Sequence, residues 1–311
     1  MTYPVVVYGV PYTPPAPPVK PFRAGQNRWF GWDGSVWDLA DHAGGVIFAD
    51  GGATGFHFPP FERQTTVSPA MSGTRWRGVR TAERPVDWNL LIWSDNSSEE
   101  WRARDAGFMK TLRPDKTGTW EHTTPEGKRR FLTLRYTESE MTSLERRDPH
   151  ELGWSLYQVQ MVAEDPYWHG ESIVRSWTPP SGTDGEDFFN EGEAPPFIIT
   201  AASNITDAKL PNPGDVEAWP IWTFIGPLQN ISVGFNGGEV ALPNVAGGQT
   251  MVVNTDPRVA TATRNGADVM GLVDTWDPRP IPAGGQAVMD VDVEGTGIVR
   301  ASLEPRYYRA W

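Results

Sequence analysis

Residues 163–197 read AEDPYWHGESIVRSWTPPSGTDGEDFFNEGEAPPF, and the reading of this stretch divides the chain. A run that alternates like a strand ends in Asp165-Pro166-Tyr167-Trp168, and the sequence then passes into Pro, Gly and acid. Proline cannot donate to a sheet ladder, so Pro166 marks where the ladder stops. Two large aromatics directly after it have two readings: a platform for a ligand, or a plug that closes one domain where the next begins. Residues 178–196 hold Pro179-Pro180, then Gly, Asp and Glu, with almost nothing aliphatic to bury; they read as a linker. The expected organisation is a Pro-rich arm over 1–21, a first domain over 22–177, this linker, and a second domain over 197–311.

Length agrees, since 311 residues exceed one ordinary core and fit two. The 32 Gly and 29 Pro show no low-complexity period, which points to many turns between short strands. Cysteine is absent, excluding a disulfide framework, a thiolate metal site and a cysteine nucleophile. The opening MTYPVVVYGVPYTPPAPPVKPF has no cationic leader, and Gly9 and Pro11 cut its apolar run, so neither a signal peptide nor an anchor is expected. No window reaches the roughly 18 apolar residues of a membrane helix. Six prolines over 11–21 favour an extended arm, either solvated or docked on a neighbour. The net charge of -12 is uneven: residues 1–175 hold 20 Lys/Arg against 22 Asp/Glu, residues 176–311 hold 7 against 17. That balance gives nucleic acid no electrostatic footprint.

Period-two patterns predict the strands. RWFGWDGSVWDL turns at Asp33-Gly34, and TRWRGVRTAERPVDWNLLIWSD supplies two strands with Trp88, Leu90 and Ile92 on one face. One helix stands out in NSSEEWRARDAGFMKTLRPD: Ser97 caps, Glu100 has the capping-box spacing, Trp101, Phe108 and Leu112 share a stripe, and Pro114 follows. A long hairpin is expected around Pro125–Gly127. In LGWSLYQVQMVAE, Ser155, Tyr157, Val159, Met161 and Ala163 oppose Trp154, Leu156, Gln158 and Gln160. In the second half, AWPIWTFIG sets Trp222 and Phe224 against Trp219, Ile221 and Thr223, and two Asn-Gly turns predict hairpins. The fold class is mainly β, ending in an antiparallel sandwich.

Chemistry is not signalled. G-x-S-x-G, H-E-x-x-H, P-loop and post-strand G-x-G-x-x-G motifs are all missing. The histidines at 42, 57, 122, 150 and 169 have no ligand spacing and read as surface or partly packed residues. Asp290, Asp292 and Glu294 mimic the start of a calcium loop, but its twelfth position is Ala301, and the valines between alternate as in a strand. No catalytic, cofactor or metal residue is assigned. Fifteen tryptophans leave a Trp-rich carbohydrate-binding module or glycan hydrolase as the alternative.

WFGWDGSVWDL, FERQTTVSPAMSGTRWRGVR, FMKTLRPDKTGTW, GWSLYQVQMVAEDPYWHGE, NPGDVEAWPIWTFIGP and RASLEPRYYRAW run in that order. Together they resemble the distal tail protein of long, flexible-tailed phages, in the version from phages of actinobacteria often labelled minor tail protein. The resemblance covers nearly the whole chain after the proline arm. It implies a β-sandwich-like belt domain with one α-helix and a long hairpin, followed by a galectin-like β-sandwich. It also implies a non-enzymatic virion protein at the distal end of the tail, forming a six-membered ring. The implied partners are tail tube protein, the tail tip hub and the tape measure protein, with receptor-binding or other tip proteins held by the C-terminal domain; no cofactor, specific nucleic acid or membrane is implied. Asp165, Pro166, Tyr167 and Trp168 then read as the plug that closes the belt domain. The proline arm has no counterpart in this pattern.

Overall fold

The computed structural model describes residues 24–70, 72–141, 148–179 and 208–311; the arm at 1–21 and all but the first two residues of the 178–196 segment lie outside them. The chain is mainly β, as expected. Its first half contains β1 (Gln26–Phe30), β2 (Val36–Asp38), β3 (Val46–Ala53), β4 (Phe61–Val67) and β5 (Thr74–Thr81). Then come β6 (Arg84–Trp93), α1 (Ser98–Met109), β7 (Thr117–Thr123), β8 (Arg129–Met141), a one-turn α2 (Pro149–Leu152), β9 (Trp154–Ala163) and β10 (Trp168–His169). Seven strands join antiparallel in the order β2-β1-β7-β8-β9-β6-β3.

The predicted periodicities place the core. Trp88, Leu90 and Ile92 of β6 are fully buried, as is every second residue of β9 from Ser155 to Ala163. Helix α1 begins as expected, with Ser97 accepting from the Glu100 backbone N–H at 3.1 Å. The Glu100 carboxylate is engaged elsewhere, by the Asn96 amide at 2.6 Å and Arg104 at 2.9 Å, so the reciprocal half of the capping box is replaced. Trp101 and Phe108 carry the helix onto the sheet, and Trp101 Nε1 donates to the Ile92 carbonyl at 3.2 Å. Trp29, Trp88, Trp120 and Trp168 lie edge-to-face in succession, at centroid distances of 5.3, 5.3 and 5.0 Å. Such geometry adds to the burial that large rings supply.

A second core gathers between two further sheets. One runs β11 (Ile173–Trp177), β22 (Ile298–Leu303), β13 (Ile221–Ile225), β16 (Thr250–Asn254), β17 (Thr261–Arg264) and β18 (Ala267–Asp268). The other runs β19 (Thr275–Asp277), β15 (Gly238–Leu242), β14 (Leu228–Phe235) and β21 (Asp290–Gly295). A short pair, β12 (Lys209–Pro211) with β20 (Gln286–Val288), lies beside them. Trp222, Phe224, Met251 and Val253 face Ile231, Val233, Phe235 and Val240, making an antiparallel sandwich. Asn236-Gly237 and Asn265-Gly266 turn the β14–β15 and β17–β18 hairpins with positive φ at both residues, as tight primed turns require. Asp290, Asp292 and Glu294 are exposed on β21, while Val293 is buried, so this acidic run is a strand face.

The ends of the two halves are exchanged. Strand β11, expected to finish the first domain, pairs with β22 of the sandwich through five residues. In return, β23 (Arg306–Tyr307) pairs with β10, and Ala310 is fully buried in the first core. In sequence, the 178–196 segment therefore falls between β11 and β12 of the second unit rather than between the two units. The chain crosses between cores near Gly170–Ser172 and again near Leu303–Pro305. Spatial pairing of strands far apart in sequence is invisible to periodicity, which is why the sequence reading put the crossing at the Pro/Gly run. Proteolysis within 180–196 is expected to give two fragments that co-elute on size exclusion under native conditions, because each carries a strand of the other's sheet. Fragments that separate without denaturant would contradict this topology.

Candidate functional site

The junction between the cores holds all four residues of the predicted plug. Trp168 is fully buried, its ring stacked parallel to Phe56 and edge-on to Trp120, with Nε1 donating to the Gly55 carbonyl at 3.0 Å. Tyr167 is half-buried, and its hydroxyl donates to Thr81 Oγ1 at 2.9 Å. The Pro166 carbonyl accepts from Arg84 Nε at 2.6 Å.

Arg84 organises this corner. It is buried, and its guanidinium also donates to the carbonyls of Gly55 (2.6 Å), Tyr308 (2.8 Å) and His57. Three chain segments thus meet on one planar fork, a geometry lysine could not reproduce. Burial pushes the Arg84 pKa down to about 10. The C-terminal tail is fixed beside it: Ala310 N–H donates to Phe56 O at 2.9 Å, and Trp311 lies 5.4 Å from the Phe56 ring and 5.7 Å from that of His122.

Asp165 opens a chain of ion pairs across the junction. It meets His169 Nε2 at 3.2 Å and Arg258 Nη1 at 2.7 Å. Asp256 takes Arg258 at 2.7 Å and Arg306 at 2.6 Å, and Glu304 lies 3.4 Å from His169 Nδ1. Both ring nitrogens of His169 thus face carboxylates, an arrangement only the doubly protonated imidazolium satisfies. Burial alone would lower the His169 pKa, but Asp165 and Glu304 raise it from 6.5 to about 9. Burial would raise Asp165; the hydrogen bond and charge of His169, with Arg306 and Arg258, hold it far below the usual carboxylate range. Glu304 is lowered, chiefly by its bond to His169.

A folded pKa above the ordinary one makes His169 a stabilising group below about pH 6.5, and that contribution fades as pH rises through about 9. Asp165 and Glu304 behave oppositely, stabilising above their ordinary values and losing that effect in acid. His169→Gln is expected to cost on the order of 2–3 kcal/mol at pH 6 and much less at pH 10. Urea titrations at both values measure it; an equal cost at both would exclude the charged imidazole.

Elsewhere, the outer face of the β3-β6-β9 region forms a cleft of about 860 Å³, lined among others by Ile47, Leu91, Trp93 and Trp154, with Asp50 and Asp95. Among the described residues, strands β4 and β5 pair only with each other and are exposed almost throughout. Among the described residues no group of three or more His, Asp or Glu side chains is placed to hold a metal ion. Nor is any helix there long and apolar enough to cross a membrane. Seven of the fifteen tryptophans are buried and none of the four in the sandwich is exposed, whereas Trp32, Trp76 and Trp311 are.

Sequence reasoning found Asp165–Trp168 but missed their partners. Arg258, Glu304 and Arg306 are far away in the chain, and His169 reads as one scattered histidine among five. The one available signal was Asp165 and His169 at i and i+4 around Pro166.

No family model matches the chain. Minor tail protein Gp27 of Mycobacterium phage L5 is 23% identical over 216 residues, 65% of this chain and 61% of that protein. The match therefore spans less than two thirds of the relative's length. Among solved structures, the SPP1 Dit protein, titled a paradigm of the hub adsorption apparatus in phages infecting Gram-positive hosts, superposes with a TM-score of 0.60 at 12% identity. A chain of the phage P2 baseplate in its activated conformation with Ca gives 0.53 at 13%. Each alignment covers 90% of this chain and 98% of the other. The chain thus has the fold of phage Dit and baseplate hub proteins and is similar in sequence to a mycobacteriophage minor tail protein, the resemblance its motifs carry.

Proposed function

We propose that this chain is a non-enzymatic structural protein of a long, flexible phage tail: a ring-forming adaptor, six copies to a ring, between the tail tube and the tip or baseplate. The observation that carries this reading is the sequence relation to a minor tail protein joined to a fold match spanning nearly the whole Dit chain. In it, the β-sheet unit with α1 is the belt that makes the ring, and the sandwich is a galectin-like domain that projects outward and can hold receptor-binding or other tip proteins. Tail tube protein, the tail tip hub and the tape measure protein are the neighbours. Charge supports the division, because six copies of a nearly balanced first half approach more easily than six copies of the acidic second half. The Asp165–Trp168 plug and its ion pairs hold the sandwich at a fixed angle to the ring.

Mass photometry of the purified chain tests this. The expected species is a ring of six 34.5-kDa chains. A single chain that is retained on polysaccharide would favour a carbohydrate-binding module instead.

A further inference from the structure

The β4–β5 hairpin has a two-faced pattern that the described residues leave exposed. Register places Thr65 opposite Trp76, Arg63 opposite Val79, Phe61 opposite Thr81 and Val67 opposite Thr74. Opposed residues share a face, so Phe61, Val67, Trp76 and Val79 lie on one side. All four are exposed, Val67 at 71% and Trp76 at 63%. The other face is polar: Glu62 pairs with Arg80 at 3.8 Å, and Arg77 donates to Thr66 at 3.0 Å. A two-stranded ribbon alone is marginal in water, and an apolar patch of this kind marks an interaction surface.

We propose that the apolar face of this hairpin docks into the β3-β6-β9 cleft of a second copy of the chain. The proposal rests on the ring reading above and names the surfaces that close it. Both surfaces are apolar at their centres: Val67, Trp76 and Val79 on one side, Ile47, Leu91, Trp93 and Trp154 on the other. Their charges are complementary. The charged residue on the hairpin's apolar face is Arg63, opposite Val79, while Asp50 and Asp95 line the cleft. The hairpin precedes the Arg84 end of β6, and the cleft is lined from Asn89 to Trp93, roughly 17–30 Å further along at ~3.4 Å per residue. Two different surfaces at opposite ends of one strand give a head-to-tail contact, which generates a ring when its rotation closes.

The absence of cysteine makes the test clean. A Val79→Cys chain is mixed with an Ile47→Cys chain under mild oxidation, beside a control in which the second chain carries Val288→Cys, an exposed position on the sandwich. Mixed disulfide dimers are expected in clear excess over the control. In parallel, full-length Trp76→Asp/Val79→Asp protein, altered only at exposed positions, is expected to keep the unmodified melting temperature and to lose the assembled species in mass photometry. If the unmodified chain assembles and the double variant assembles equally, the surface assignment is overturned while the ring reading stands. Mixed dimers no more abundant than in the control also overturn it. An unmodified chain that stays single at every concentration overturns both.

Discussion

Replacing Trp168 by alanine costs about 3–5 kcal/mol of folding stability, the range for large aromatic truncations in cores. The indole is fully buried between Phe56 and Trp120, and its N–H bonds to the Gly55 carbonyl. Truncation leaves a cavity where the first core, the C-terminal tail and the β10–β23 pair converge, and it strips the Gly55 carbonyl of one donor. Backbone on three sides is tied by Arg84 and cannot collapse far, which places the cost toward the upper end. Thermal and urea unfolding measure it. A Trp168→Ala protein that melts like the unmodified chain but loses a partner or a sugar would reinstate the ligand-platform reading.

Arg84→Met is expected to be comparably damaging, at about 3–5 kcal/mol. The side chain keeps its packing volume, but the carbonyls of Pro166, His57 and Tyr308 lose this donor while Gly55 keeps that of Trp168, and each buried carbonyl left unpaired costs roughly 1–3 kcal/mol. Arg84→Lys restores one point charge without the fork and recovers only part of the loss. The tail should loosen first, since Tyr308 O is one of the four acceptors; hydrogen exchange over 305–311 reports it. Unchanged protection there would show that strand pairing and Ala310, rather than Arg84, hold the tail. By the same logic, a fragment ending at residue 177 lacks Ala310 and β23 and carries β11 without its partner, so it is an incomplete first unit.

Local structure was legible where period and turn chemistry agree. Trp88, Leu90 and Ile92 alternate inward because β6 is buried on one face, and Asn236-Gly237 fixes a hairpin through its positive φ values. The burial of Trp168 was readable because proline ends a ladder and buried-type aromatics follow. What escaped was long-range: β11 joining β22, Tyr307 pairing with Trp168, and His169 set between Asp165 and Glu304. These depend on which distant strands lie side by side, and a single sequence carries no periodic trace of that. Of the exposed hairpin only β5 was legible, as the first of the two strands in TRWRGVRTAERPVDWNLLIWSD; its pairing with β4 and its exposure could be seen only in three dimensions.

The measurement that bears most directly on the account is an image of the assembled tail tip at a resolution that separates strands. A ring of six copies between tube and tip is expected, the β-sheet units forming its wall and the sandwiches projecting outward, with each β4–β5 hairpin lying on its neighbour's β6. A tail tip in which this chain is absent, or present as single peripheral copies, would contradict it.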